Sequence, residues 1–245
     1  MPDALYSHPR LARVYDPLDP DRSDLDAYLQ VIEGVGAKTV LDVGCGTGTL
    51  ISMLTELGLT ALGVDPAEAS IDVAREKVVS DLAEFVVGTV VDVAADPSRH
   101  GTFDLAAMTA NVAQVFLDND DWLANLCAIK LCLRPGGHII FETRQPADRG
   151  WERWTKEQTH QVVHVEGEGS VEEWVQVTKV DGEFVTFESP TIFHRDGERI
   201  DSTSTLRFRS EDALERTLSD AGFKDCEVRD LPYAPGRGWL ILAKS

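Results

Sequence analysis

Three glycines at alternate positions, Gly44, Gly46 and Gly48, are the most chemically informative residues of this 245-residue chain. They follow the aliphatic run VLDV at 40–43, which predicts a buried strand, and they precede apolar residues at helical spacing. Because glycine has no Cβ, the backbone N–H groups of such a turn and the helix N-terminus can approach a ligand closely. The stretch therefore predicts a site for a nucleotide-like molecule.

An acidic residue, Asp65, ends the next apolar run about 20 positions after Gly44. An aspartate at the end of the second strand of a βαβ unit can accept hydrogen bonds from both ribose hydroxyls. The same side chain before Pro66 can also cap a helix, and the two roles are compatible. A nicotinamide-dependent oxidoreductase is the weaker interpretation, because the fingerprint GxGxxG needs a glycine where the chain has Thr49.

Strand and helix patterns alternate around these residues. Further apolar runs predict strands at 61–64, 85–87, 105–108 and 138–142. From 145 to 207 the period changes to two, and Asp-Gly pairs at 181–182 and 196–197 predict hairpin turns. We therefore expect an α/β fold with a mostly parallel sheet, helices on both faces, and an antiparallel β insertion after the fifth strand.

The patterns divide the chain into three regions. Residues 1–36 form an N-terminal arm and helix, 37–144 with 208–245 form the ligand-binding domain, and 145–207 form the insertion. Residues 1–20 contain prolines and no helical period, so we expect an irregular arm that is either a lid or an ordered tail. Since ligands of open α/β sheets bind outside the carboxyl ends of the strands, the arm, the insertion and the turn 231–238 are expected to enclose one cleft.

Composition narrows the classes of partner. Asp and Glu number 42 against 23 Lys and Arg, a net charge of -19, which disfavours a nucleic-acid substrate. The sequence contains no apolar run of about 18 residues and no basic-then-apolar leader, so we expect a cytoplasmic protein that does not enter membranes. The four cysteines have neither CxxC nor zinc-ligand spacing, so no metal is expected. The oligomeric state stays open.

Several motifs, taken in order, resemble the class I S-adenosylmethionine-dependent methyltransferases over nearly the whole chain. They are LDVGCGTG at 41–48, FDLAAMTANVAQVF at 103–116, LRPGGHIIFET at 133–143 and FRSEDALERTLSDAGF at 208–223. Two more, VYDPLDP at 14–20 and FETRQPADRGWERWT at 141–155, are similar to a poorly characterised small-molecule branch. The resemblance implies a Rossmann-like seven-stranded sheet, S-adenosylmethionine as cofactor, and in-line methyl transfer to a nitrogen or oxygen atom of a small molecule.

The resemblance also implies a set of cofactor-binding residues. They are Tyr15, Asp42, Gly44, Gly46, Gly48, Asp65, Pro66, Thr89, Val90, Asp92, Thr109 and Ala110. Asp65 would hold the ribose, and Tyr15 would reach the methionine carboxylate. The family often has Gly-Asp after the third strand where this chain has Gly88-Thr89, so either Thr89 or Asp92 would receive the adenine amino group.

Fewer signals bear on the acceptor. The principal candidates for a catalytic base are Tyr15, Glu142 and His8, with His160 and His164 as weaker ones. Candidate substrate contacts are Asn111, Gln114, Arg144, Trp151 and Arg237. Trp151, and Trp154 with it, are candidates to stack on an aromatic acceptor. Because methyl transfer needs no diagnostic catalytic residue, a binding protein of methyltransferase fold without turnover stays an alternative.

Overall fold

The computed structural model describes residues 3–245 and contains two sheets. The strands in chain order are β1 (Thr39–Val43), β2 (Thr60–Asp65), β3 (Ala83–Val87), β4 (Phe103–Met108), β5 (Leu133–Arg144), β6 (Gln161–Val165), β7 (Gly169–Glu173), β8 (Gln176–Asp181), β9 (Phe184–Phe193), β10 (Glu198–Arg207), β11 (Lys224–Asp230) and β12 (Gly238–Lys244). The helices are α1 (Ala4–Ser7), α2 (Pro9–Leu18), α3 (Asp26–Gly34), α4 (Thr49–Glu56), α5 (Glu68–Lys77), α6 (Val90–Ala94), α7 (Asn119–Cys132), α8 (Lys156–Thr159) and α9 (Glu211–Asp220).

The larger sheet has seven strands in the order β3-β2-β1-β4-β5-β12-β11. β1 to β5 run parallel, whereas β12 is antiparallel to both β5 and β11. One apolar cluster packs α3, α4 and α5 on one face, and a second packs α6, α7 and α9 on the other. Both faces are covered because the parallel strands are apolar on both sides. The fold expected from the sequence is confirmed.

The insertion after β5 is antiparallel, as expected. Short helical turns and α8 lead into a sheet with the order β10-β9-β7-β6, and β8 also pairs with β9. The two Asp-Gly pairs lie in the β8–β9 and β9–β10 turns. This second sheet stands beside the carboxyl end of β5, where the chain leaves the larger sheet.

The expectation of an irregular arm is wrong, because most of residues 3–20 are helical. Pro9 occupies the first turn of α2, where a backbone N–H would have no partner within the helix, so the N–H that proline lacks is not needed. Pro17 lies in the last turn of α2. Leu11, Val14 and Leu18 lie on one face of α2 and pack against the insertion sheet in a third apolar cluster. The prolines therefore mark the limits of a helix.

No helix within residues 3–245 has the length and apolar character needed to cross a membrane.

Candidate functional site

A cavity of about 460 Å³ lies at the carboxyl edge of the seven-stranded sheet. The glycine loop and the ends of β1, β2 and β4 form one side, and the arm and the insertion sheet form the other. A cavity of this size, mostly apolar with a few polar groups, is typical of small-molecule sites. No residue of the turn 231–238 lines it, so of the three expected segments only the arm and the insertion reach the cavity.

The structure brings many of the predicted residues together in the cavity lining. They are Tyr15, Gly44, Gly46, Asp65, Pro66, Thr89, Val90, Thr109, Ala110, Asn111, Arg144 and Trp154. Other candidates lie outside the lining: His8, Asp42, Gly48, Asp92, Gln114, Glu142, Trp151, His160, His164 and Arg237. Several of these outlying side chains have structural contacts. His8 caps α2 by accepting from Arg10 N, His160 contacts Glu172, and the Trp151 ring packs edge-on against Phe208 at 4.7 Å.

The glycine loop needs its glycines for different reasons. Gly44 has φ 75°, and a Cβ there would meet Val112 Cγ2 at 2.6 Å. Gly46 has φ 52° and lines the cavity, with no atom within 4 Å of where its Cβ would be. Gly48 packs against α5, since a Cβ would lie 2.9 Å from Ala74 Cβ. The open space at Gly46 therefore belongs to the cavity.

Asp65 connects the second strand to the glycine loop. One carboxylate oxygen accepts from Gly46 N at 3.0 Å, and the other accepts from Ala67 N at 2.8 Å. Burial raises the pKa of the Asp65 carboxyl, and the two N–H bonds oppose that shift. Because each carboxylate oxygen can accept more than one hydrogen bond, this side chain can still receive ribose hydroxyls.

Asp42 lies in β1, two residues before Gly44, and is buried, and within residues 3–245 neither of its carboxylate oxygens has a hydrogen-bond partner. Burial raises its pKa to about 7, Asp65 adds to the shift, and Arg22 opposes it. A buried polar group without a partner costs free energy and calls for an explanation. A bound cation at this position would supply the missing partner.

Thr89 and Asp92 have distinct positions. Thr89 lines the cavity, whereas Asp92 accepts from Thr89 N and from Thr89 Oγ1, both at 2.8 Å. These contacts form a capping box at the start of α6. Only Thr89 of this pair faces the cavity.

A strained turn follows β4. Ala110 and Asn111 have φ values of 51° and 61°, an unfavourable left-handed conformation for non-glycine residues. Glu142 stabilises the turn by accepting from Asn111 N and Nδ2, both at 3.1 Å, and its other oxygen accepts from Tyr233. Burial raises the pKa of Glu142 to about 7, with Asp24 adding to the shift. Glu142 is thus in contact with the lining residue Asn111 and does not itself reach the cavity.

Arg144, two residues further on the same strand, does line the cavity. Its Nη1 donates to Gln114 Oε1 at 2.9 Å, and its guanidinium lies 5.1 Å from the centre of the Trp154 ring. Burial lowers the pKa of Arg144, and the nearby Glu142 opposes this.

Two tyrosines of the arm complete this side of the cavity. The rings of Tyr6 and Tyr15 are 5.9 Å apart, and burial raises the pKa of both phenols. Both side chains are therefore protonated near neutral pH and can donate or accept hydrogen bonds.

Sequence reasoning missed part of the lining. The missed residues include Tyr6, Arg22, Val175, Phe187, Ser189, Ser204 and Leu206. Arg22 could have been found from the sequence, because it is a positively charged residue immediately before a predicted helix near the ligand-binding edge of the sheet. The insertion residues carried none, because strand alternation shows which residues share a face and not which face meets the cavity.

A polar latch holds the arm over the glycine loop. Asp16 accepts from Thr47 Oγ1 at 2.6 Å and from Lys77 Nζ at 2.7 Å. These contacts connect α2 to the loop and to α5, while the apolar face of α2 packs on the insertion. The arm thereby closes the cavity between the two sheets.

Comparison with known proteins gives the family. A family model described as methyltransferase domain matches residues 23–228, so the chain belongs to that family, and the resemblance found in the sequence is confirmed. An S-adenosylmethionine-dependent methyltransferase from Clostridium acetobutylicum has the same fold, with a TM-score of 0.71, 18% identity, and 96% and 97% of the two chains covered.

Two curated relatives match over shorter stretches. The cypemycin N-terminal methyltransferase of a Streptomyces species is 31% identical over 124 residues, 51% of this chain and 49% of that protein. The ubiquinone biosynthesis O-methyltransferase of Vibrio parahaemolyticus is 30% identical over 121 residues, 49% of each. The chain thus matches about half the length of these relatives.

Proposed function

We propose that this chain is an S-adenosylmethionine-dependent methyltransferase that methylates a nitrogen or oxygen atom of a small molecule. The observation that carries the proposal is the cavity between the glycine loop and the insertion sheet. Membership of the methyltransferase family supports it, and so do the names of the two relatives, an N-terminal methyltransferase and an O-methyltransferase.

The residues fit the cofactor on two observations. The cavity has free space where Gly46 lacks a Cβ, and within residues 3–245 Asp42 has two buried oxygens without partners, while Arg22 contributes a positive charge to the same cavity lining. An amino-acid group carries an ammonium and a carboxylate, and Asp42 and Arg22 offer the complementary charges. Asp65 would bind the ribose hydroxyls, and Pro66, Thr89 and Val90 would surround the adenine.

When bound, S-adenosylmethionine supplies a methyl group already activated on a sulfonium. The work left to the protein is to hold an acceptor atom in line and to exclude water, and such positioning supplies roughly 7–11 kcal/mol of barrier reduction. Tyr6 and Tyr15 line the cavity as neutral phenols that orient a bound group by hydrogen bonds, since their raised pKa values keep both protonated and so unable to accept a proton. Glu142 acts on the cavity through Asn111 by fixing the strained turn.

Two measurements test this function. Calorimetry should detect S-adenosylhomocysteine binding, whereas binding of NADH with none of S-adenosylhomocysteine would contradict the proposal. A panel of amine, phenol and carboxylate acceptors with cofactor labelled in the methyl group should then reveal turnover. Tight cofactor binding with no turnover across the panel would instead favour a binding protein of this fold.

A further inference from the structure

Arg144 is a cation in the cavity lining without an anionic partner. Its side chain makes one hydrogen bond within residues 3–245, to the neutral amide of Gln114, and no carboxylate of that range lies within 4.0 Å of its nitrogen atoms. Arg22, the other lining arginine, is paired with Asp24 at 3.2 Å. Glu142 is near Arg144, but no carboxylate within residues 3–245 contacts the half-buried guanidinium, so its positive charge is available to a ligand.

The unused donors of Arg144 have a defined arrangement. Because Nη1 is engaged by Gln114, the Nε and Nη2 N–H groups are left, and these two form one edge of the planar guanidinium. Two parallel donors on one edge match the two oxygens of a carboxylate or phosphate. A neutral amide or hydroxyl group offers one oxygen atom and no negative charge, so it cannot match both N–H donors in the way a carboxylate or phosphate does.

The surroundings of Arg144 suit a flat molecule. The Trp154 ring lies against the guanidinium, and the Phe187 ring meets Trp154 edge-on at 5.1 Å. Ser189 and Ser204, both mostly buried, also line this wall and bring hydroxyl groups to it. Aromatic side chains favour ring contacts, while the hydroxyls can bind polar substituents.

The position of Arg144 separates it from the proposed cofactor groups. It ends β5, and β4 lies between β5 and β1, from which the glycine loop starts. With strands about 4.8 Å apart, the ends of β1 and β5 are roughly 10 Å from each other. Arg22 precedes α3 and is already paired with Asp24, and its charge acts on both Asp42 and Glu142. Arg144 is therefore left for the acceptor.

We propose that the methyl acceptor is a ring-containing small acid whose carboxylate or phosphate binds the Nε–Nη2 edge of Arg144. This inference rests on the proposed function, because it treats the cavity as shared by a cofactor and an acceptor. The net charge of -19 repels anions at long range, so selection of an anion has to come from a local, poorly screened cation.

Matched fragments test the inference. Benzoate, its neutral analogue benzamide, and phenyl phosphate are titrated by ligand-observed NMR into the full chain, with and without saturating S-adenosylhomocysteine. We expect benzoate or phenyl phosphate to bind the wild-type protein at least tenfold more tightly than benzamide. Whichever of the two anions binds more tightly shows whether the acceptor carries a carboxylate or a phosphate.

Substitutions assign the preference to one side chain. Arg144→Gln should abolish the preference for the anion, and Arg144→Lys should keep a smaller one, because lysine retains the charge but not the two-donor edge. Arg229→Gln removes the same charge from an exposed strand and should leave the preference intact. The S-adenosylhomocysteine affinity of Arg144→Gln should stay within about twofold of wild type, which also shows that the variant is folded.

Three outcomes would overturn the inference: anions that bind wild type no better than benzamide, a preference that survives Arg144→Gln, or a tenfold loss of S-adenosylhomocysteine affinity in that variant. The last would mean that Arg144 holds the cofactor carboxylate. The affinity of the wild-type protein for S-adenosylhomocysteine tests the proposed function separately. The fragment titration without S-adenosylhomocysteine measures the anion preference independently of cofactor binding.

Discussion

Asp42→Asn is expected to stabilise the ligand-free protein at high pH while weakening cofactor binding. The carboxyl has an ordinary pKa of 3.8 and a folded value of about 7 because of its burial. A group whose pKa is raised on folding favours the folded state at low pH, and this contribution is lost as the pH rises through the folded pKa. Stability should therefore fall between about pH 4 and pH 8.

The shift sets the size of the effect. The folded pKa of about 7 lies about 3 above the ordinary value of 3.8. Because a change of 1 in pKa corresponds to 1.36 kcal/mol, ionising Asp42 in the folded protein lowers the free energy of unfolding by up to about 4 kcal/mol. At pH 5 the folded Asp42 is protonated, but the carboxyl of the unfolded chain is already ionised, so the variant should be more stable by about 1–2 kcal/mol. At pH 8.5 the variant should be more stable by about 2–4 kcal/mol, the lower end allowing for relaxation around the charge.

Urea unfolding of both ligand-free proteins at pH 5 and pH 8.5, at fixed ionic strength, measures this difference. Asp104→Asn is the matched control, because Asp104 is also buried but is paired with Arg134 and accepts from Lys38 N and Thr39 N. That variant should be less stable than wild type at pH 8.5. A gain for Asp42→Asn that is equal at both pH values, or a loss at pH 8.5, would refute the reasoning. In calorimetry, Asp42→Asn should also bind S-adenosylhomocysteine at least tenfold more weakly.

Three further substitutions test other parts of the site. Asp65→Ala should weaken S-adenosylhomocysteine binding in calorimetry by at least tenfold, since each lost hydrogen bond to a charged acceptor is worth roughly 1.5–3 kcal/mol; unchanged affinity would remove the ribose assignment. Asp16→Ala breaks the latch and should speed S-adenosylhomocysteine release several-fold in stopped-flow measurements, whereas Glu33→Ala, which removes an exposed carboxylate from α3, should not; equal rates would argue against a lid. Glu142→Gln should lower kcat/KM more at pH 8 than at pH 6, because its pKa of about 7 makes glutamine a good mimic only at the lower pH; a loss independent of pH would contradict this.

The sheet and the cofactor side of the cavity could be predicted because their signals are local. A strand, a glycine loop and a helix adjoin in the sequence, and Asp65 follows the next strand directly. The observed hydrogen bond from Gly46 N to Asp65 joins the two motifs, and both line the cavity. Chain order alone brings such residues to the same edge of a parallel sheet.

The acceptor side could not be predicted in the same way. Trp151 and Trp154 are three residues apart in an irregular segment, and only Trp154 lines the cavity, while Trp151 packs on Phe208. Glu142 and Arg144 are two residues apart on a strand and therefore lie on the same face. Asn111 and Tyr233 bind Glu142 and keep it out of the cavity, whereas Arg144 remains in the lining. Tertiary contacts from distant parts of the chain decide which of two equivalent residues reaches the cavity.

The arm shows how the two sheets are coupled. Its apolar residues, including Leu11 and Val14, belong to one hydrophobic cluster with the insertion, whereas its contacts to the glycine loop and α5 include the polar bonds of Asp16. Water can replace polar bonds at little net cost, but separating the apolar cluster would expose buried side chains. We therefore expect the arm to open by leaving the glycine loop and staying on the insertion sheet. Arm and insertion then move as one acceptor-binding wall, and the release rate of Asp16→Ala reports directly on that opening.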